Sequence, residues 1–160
     1  MSANRTASGR LPKLIGLATV LAAAAAAYVL FGGGAIDPES QRATGNTASI
    51  EKGRQVYAEN CASCHGVNLE GQPNWRTRNA NGRLPAPPHD ASGHTWHHDD
   101  QTLFELTKYG LSALVGRPIE TDMPAYDGKL TDDEIWAALA FIRSRWPKKI
   151  QERQAALTPN

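Results

Sequence analysis

The chain has 160 residues, enough for one domain with a real core plus accessory segments. A formal net charge of +1 excludes the basic footprint of a nucleic-acid binder and gives no bias toward an acidic partner. Two cysteines exclude a disulfide framework, and 41% hydrophobic residues with four tryptophans suit a compact globular fold.

Residues 1–13 contain Arg5, Arg10 and Lys13 and no acid. Leu14 to Phe31 then run for 18 residues without a charge. That length reaches the lower edge of a membrane-spanning helix and exceeds the usual apolar core of a signal peptide. The basic flank predicts a cytoplasmic N-terminus, with everything after the span on the far side of the membrane. Gly33-Gly34-Ala35 offers small residues for cleavage, so a removed signal is the alternative, and the weakly hydrophobic alanine run leaves a buried soluble helix as a third reading. Residues 32–47 are rich in Gly, Ala, Ser, Thr and Asn and include Pro38, which reads as a flexible linker.

A folded domain is expected over 48–147. Ser49 can cap a first helix, with Ile50, Gly53, Val56 and Tyr57 near one face up to Asn60. Cys61-Ala62-Ser63-Cys64-His65 follows at once. Two cysteines two residues apart and then histidine is the pattern of covalent haem attachment. The thiols add across two vinyl groups, and the adjacent histidine is carried beneath the iron. A thioredoxin-like dithiol would need a βαβ context that is not visible, and a zinc site would need ligands from His89, His94, His97 or His98.

From residue 66 to 98 the sequence is loop-like and rich in proline and glycine. A loop this long implies function or a bound group that orders it, and a haem can serve as the apolar core it wraps. Asp99 or Asp100 can cap a helix QTLFELTKY that stops at Gly110. Residues 111–130 read as a further loop and carry Met123 before Pro124. Thr131-Asp132-Asp133-Glu134 is a capping box. The last helix places Ile135, Ala138, Leu139, Ile142 and Trp146 on one side and ends at Pro147. Residues 148–160 read as a polar, frayed tail. No strand pattern competes, so the domain is all-α.

A low-spin iron needs a second ligand, and a thioether raises its potential. Besides the initiator, Met123 is the chain's one methionine, set where a proline-flanked backbone can aim it; a lone methionine elsewhere is more often a gap-filler in a core.

The order CASCH, proline-rich loop, middle helix, Met-Pro and a Thr-Asp-Asp-Glu-Ile-Trp helix resembles a class I cytochrome c, of the membrane-anchored bacterial monohaem type, over roughly Ser49 to Pro147. The resemblance implies the cytochrome c fold, three main helices and loops around one haem, preceded here by a transmembrane helix. It implies one covalent haem c on Cys61 and Cys64, with iron held between His65 and Met123. The first and last helices would cross, Gly53 allowing close approach and Tyr57 meeting Phe141. A proline carbonyl, here Pro87, would accept the other ring N–H of His65. Where many relatives carry leucine two positions later, this chain has His89. Residues 71–84 read as an extension of the usual loop, bringing Trp75, Arg76, Arg78 and Arg83. One arginine could pair with a haem propionate, against the plainer reading of a solvated basic loop.

The function implied is a periplasmic-side electron carrier at a bacterial inner membrane, passing single electrons between a quinol-oxidising complex and a terminal oxidase. Such a carrier is not an enzyme and has no small-molecule substrate, because both axial positions are filled. Two other readings stand beside it. A haem enzyme or gas sensor would need a displaceable ligand, and a copper-handling protein would use the histidine group, which otherwise reads as surface residues.

Overall fold

A computed structural model describes residues 46–157. The expected basic N-terminus, membrane span and most of the linker lie outside the described residues. Among those described, no helix is long and apolar enough to cross a membrane.

Six α-helices and one 3-10 turn make the domain, and no strand occurs among the described residues. Helix α1, Thr47–Asn60, begins a turn earlier than the expected Ser49 cap. Asn46 caps it, its side chain accepting the Ser49 backbone N–H at 2.8 Å. Asn is as good a cap as Ser, so Ser49 is the group that receives the cap and not the one that supplies it. The motif itself forms α2, Ala62–His65. Thr95–His97 is the 3-10 turn. Helix α3, Asp100–Tyr109, is capped by Asp99 through Thr102 and stops at Gly110.

Two stretches read as irregular are helical. Leu111–Val115 forms α4, ended by Gly116 in the left-handed region. Lys148–Ala155 forms α6 beyond the expected stop at Pro147. Helix α5, Asp132–Ser144, stops before Trp146 and the expected Pro147, and Pro147 instead caps the start of α6, a position proline tolerates. The polar composition of α6 hid its docking. Gln154 is fully buried, and its Nε2 donates to Asp100 Oδ1 at 2.6 Å and to the His98 carbonyl at 3.2 Å.

Helix α5, Asp132–Ser144, opens with the expected capping box, Thr131 and Glu134 bonding each other's backbone. Helices α1 and α5 cross where Gly53 faces Ala137. A Cβ on Gly53 would lie 1.9 Å from the Ala137 carbonyl oxygen, so the crossing requires glycine. Tyr57 meets Phe141 with ring centroids 5.4 Å apart, as the resemblance implied. One apolar cluster, Tyr57, Ala62, Leu69, Ile142 and Trp146, seats the motif helix on this crossing. A second, Phe104, Tyr126, Ile135 and Trp136, joins α3 to α5, with Phe104 and Trp136 stacked at 4.6 Å. The motif helix thus packs on the crossing through the first cluster, and the loop of Met123 reaches α5 through Tyr126 in the second.

Candidate functional site

The two cysteines and the histidine share one helical turn. The Cys61 carbonyl accepts from the Cys64 and His65 N–H groups at 3.1 and 2.9 Å. Neither thiol is in a disulfide; Cys61 is partly buried and Cys64 exposed. Burial, with Cys64 beside it, pushes the Cys61 thiol up to about 11. A thioredoxin-like dithiol sits in a βαβ context, and no strand occurs among the described residues.

His65 is buried, and its Nδ1 lies 2.8 Å from the Pro87 carbonyl. A carbonyl accepts only, so Nδ1 carries the proton and Nε2 the lone pair. Burial lowers the His65 pKa, while the Pro87 bond opposes that shift. The imidazole is thereby held neutral and oriented, as a metal ligand must be. Pro87 reaches it because the chain at Gly71 passes close by. A Cβ there would lie 2.4 Å from Pro88 N and 2.7 Å from Pro87 C, and Gly71 has a φ of +68°.

Met123 is partly buried in a segment tied at both ends. Ile119 N–H donates to Ser112 Oγ at 2.9 Å. Tyr126 OH donates to the Asn60 carbonyl at 2.6 Å, next to Cys61. Burial raises the Tyr126 phenol to about 12, so it remains a donor. Sequence reading missed Tyr126; its alternation with Met123 across Pro124 carries no signal that it would reach back 66 residues.

His89 occupies the position expected for leucine and stacks on His65, centroids 3.9 Å apart at 21°. Its Nδ1 is 2.8 Å from Thr95 Oγ1, and its carbonyl accepts from Trp146 Nε1 at 2.7 Å. The remaining histidines disperse into aromatic pairs. His94 stacks on Trp75 at 5.4 Å and meets His98 edge-on at 5.8 Å, while His97 stacks on Trp96 at 3.8 Å. Among the described residues no group of three or more His, Cys, Asp or Glu could hold a metal ion. The reading of a copper site in this histidine group therefore has no support in the fold.

The loop arginines divide their work. Arg76 lies over Trp75 at 3.9 Å, Arg78 donates to the Gly82 carbonyl, and Arg83 pairs with Glu120 and Asp122. Arg83 is thus engaged with protein carboxylates, a role not foreseen among the candidates for a propionate. The donor set fits a covalently held haem. Two unpaired thiols sit on one turn, beside an imidazole whose Nδ1 is committed to Pro87. An imidazole nitrogen is a borderline donor and a thioether a soft one, and a haem iron accepts both types.

A family model described as Cytochrome c matches residues 50–146. The chain is 29% identical over 99 residues to the cbb3-type cytochrome c oxidase subunit CcoP of Azospirillum brasilense, covering 62% of this chain and 29% of that protein. It is 28% identical over 94 residues to subunit FixP of Bradyrhizobium sp. (strain ORS 278), covering 58% and 26%. The chain thus spans under a third of the length of these two relatives. With cytochrome c-555 of Prosthecochloris aestuarii it shares 32% identity over 98 residues, 58% of this chain and 84% of that one. No solved structure matches.

Proposed function

The chain belongs to the cytochrome c family and binds haem c covalently, and from that premise we propose that it is a single-electron carrier with His65 and Met123 as its axial ligands. The observation that carries the reading is the Pro87 carbonyl at 2.8 Å from His65 Nδ1, on the turn that bears both unpaired thiols.

When bound, the haem supplies reversible Fe(III)/Fe(II) cycling. Cys61 and Cys64 would hold it by thioethers, the short turn between them setting where it sits. His65 would offer Nε2, kept in that tautomer by Pro87. Basicity at Nε2 rises as Nδ1–H leans on the carbonyl. Met123 would offer the iron a weak, soft thioether donor that favours its reduced state. With both side chains on the iron, no substrate would reach it, and the domain would serve as a carrier.

The uncharged run Leu14–Phe31 behind a basic flank supports tethering to a bacterial inner membrane with the haem domain on the periplasmic side. Two relatives carry the name of cbb3-type oxidase subunits, which supports partners in a respiratory chain: a quinol-oxidising complex as donor and a terminal oxidase as acceptor. A pyridine haemochrome spectrum on membrane and soluble fractions tests attachment and location together.

Met123→Ala decides the ligation. The ferric protein should lose its sulfur-to-iron charge-transfer band while the haem stays covalently attached. A native protein without that band that binds CO readily would overturn the carrier reading in favour of a sensor or enzyme.

A further inference from the structure

The segment between Gly71 and Pro87 closes on itself. Gln72 N–H donates to the Ala86 carbonyl at 2.9 Å, and Ala86 N–H donates to Gln72 Oε1 at 3.0 Å. Further out, Asn79 N–H donates to the Arg83 carbonyl at 2.9 Å, and Arg83 N–H returns to Asn79 Oδ1 at 3.0 Å. The Arg83 backbone is therefore held within its own loop. Its guanidinium leaves that loop: Nη2 donates to Glu120 Oε2 at 3.0 Å, and Nη1 donates to Asp122 Oδ1.

Glu120 and Asp122 are three residues and one residue before Met123. Pro87, the partner of His65, is four residues after Arg83. One side chain thus joins the loop that orients the histidine to the loop that presents the methionine. Ser112 to Ile119 ties one end of the Met123 segment, and Tyr126 to Asn60 and to the Thr107 and Lys108 carbonyls ties the other, while Met123 N–H bonds only within the segment, to Thr121 Oγ1 at 3.1 Å. Arg83 grips the stretch between them.

What such a grip can do follows from its exposure. The Arg83 side chain is 36% exposed, Asp122 52% and Glu120 81%. Exposed pairs contribute little to global folding and are screened by salt. Local opening of a short loop is another matter, since its free energy is set by the few contacts that hold that loop. A planar fork also engages two carboxylates at once, which a lysine cannot reproduce.

We propose that Arg83 is a positioning residue, a latch that holds the loop of Met123 shut and so sets how readily an outside ligand takes the methionine's place. The latch rests on the reading of Met123 as an axial ligand. Its action is local: breaking it frees residues 120–123 to lift while the α1–α5 crossing stays folded. The remote arginine, 40 positions upstream, thereby governs access to the iron without touching it.

The test uses the full-length, haem-loaded ferric protein titrated with imidazole, read by loss of the sulfur-to-iron charge-transfer band. Exposed ion pairs are individually weak, so breaking the two together should change the affinity by about two- to thirtyfold. Arg83→Gln should raise imidazole affinity within that range, and Arg83→Lys should fall between it and the unsubstituted protein. Glu120→Gln, which breaks the latch from the other side, should move the same way. High salt should raise the affinity of the unsubstituted protein and leave Arg83→Gln unmoved. Denaturant midpoints should stay together across the set, which a merely structural role would not allow. Equal imidazole affinity in all four proteins, at low and high salt alike, overturns the latch while leaving the ligation intact. Absence of the band in the unsubstituted protein overturns the ligation, and the latch with it.

Discussion

At position 71 a hydrogen atom does what no side chain could. Gly71 brings the chain against Pro87 and Pro88, and it does so at a φ of +68°. Gly71→Ala adds a methyl 2.4 Å from a backbone nitrogen and strains the left-handed conformation at the same time. We expect a loss of about 1–3 kcal/mol in denaturant unfolding of the haem-loaded protein, with Pro87 displaced from His65. Cys61, Cys64 and His65 are legible as residues because their spacing is itself the chemistry. Pro87 is legible through resemblance, by its place in an ordered set of motifs, and its carbonyl does meet His65 Nδ1. His89 shows where that legibility stops. Its type suggests a surface or metal-binding residue, yet it stacks at 3.9 Å on His65 and carries the carbonyl that Trp146 Nε1 bonds. Spacing reports neighbours along the chain, whereas this stack joins residues 24 apart through the folding of a loop.

Elements with complete punctuation are readable in advance. Helix α3 begins at Asp99 and stops at Gly110, and α5 begins with the Thr131–Glu134 box, because caps act within four residues of each other. Thr131→Ala should cost about 1 kcal/mol in denaturant unfolding. Glu134 titrates below its ordinary value of 4.5 because the Thr131 backbone N–H, and then the Thr131 hydroxyl, bond its carboxylate. A lowered carboxyl pKa contributes stability that is fully present above 4.5 and is lost as the pH falls through the folded-state value. The unsubstituted protein should therefore lose more stability than Glu134→Gln between pH 6 and about pH 3, as followed by unfolding midpoints. Helices α4 and α6 lacked such punctuation. Leu111–Val115 spans barely a turn, and Lys148–Ala155 is mostly polar, with Ile150 its one large apolar residue. Its order comes from tertiary contacts: Gln154 is fastened to Asp100, and Ile150 packs against the cluster of Tyr57 and Trp146. Tertiary contact overrides a weak local signal there.

For the molecule as a whole, charge is nearly balanced. A net charge of +1 leaves little long-range field to steer a partner, and transient redox interfaces are small. Electron-transfer rates with a soluble redox partner should change less than about tenfold between 10 mM and 150 mM salt in stopped-flow measurements, since strongly steered pairs are the ones whose rates fall steeply. A steeper fall would point to a local charge patch that the net value conceals. Two loops far apart in the chain meet at Arg83, and a third contact, Tyr126 on Asn60, brings the methionine segment back to the motif. From the sequence alone follow the all-α class and the covalent haem, and the resemblance adds the crossing of α1 with α5. The first two rest on a pattern that is local or on a motif whose residue types have one chemistry. The tertiary structure alone decides the rest: the stack of His89 on His65, the docking of α6 through Gln154 and the span from Arg83 to the loop of Met123. These are contacts between polar or ambiguous side chains far apart in the chain, and polar side chains take their role from whatever partner folding brings within reach of a hydrogen bond.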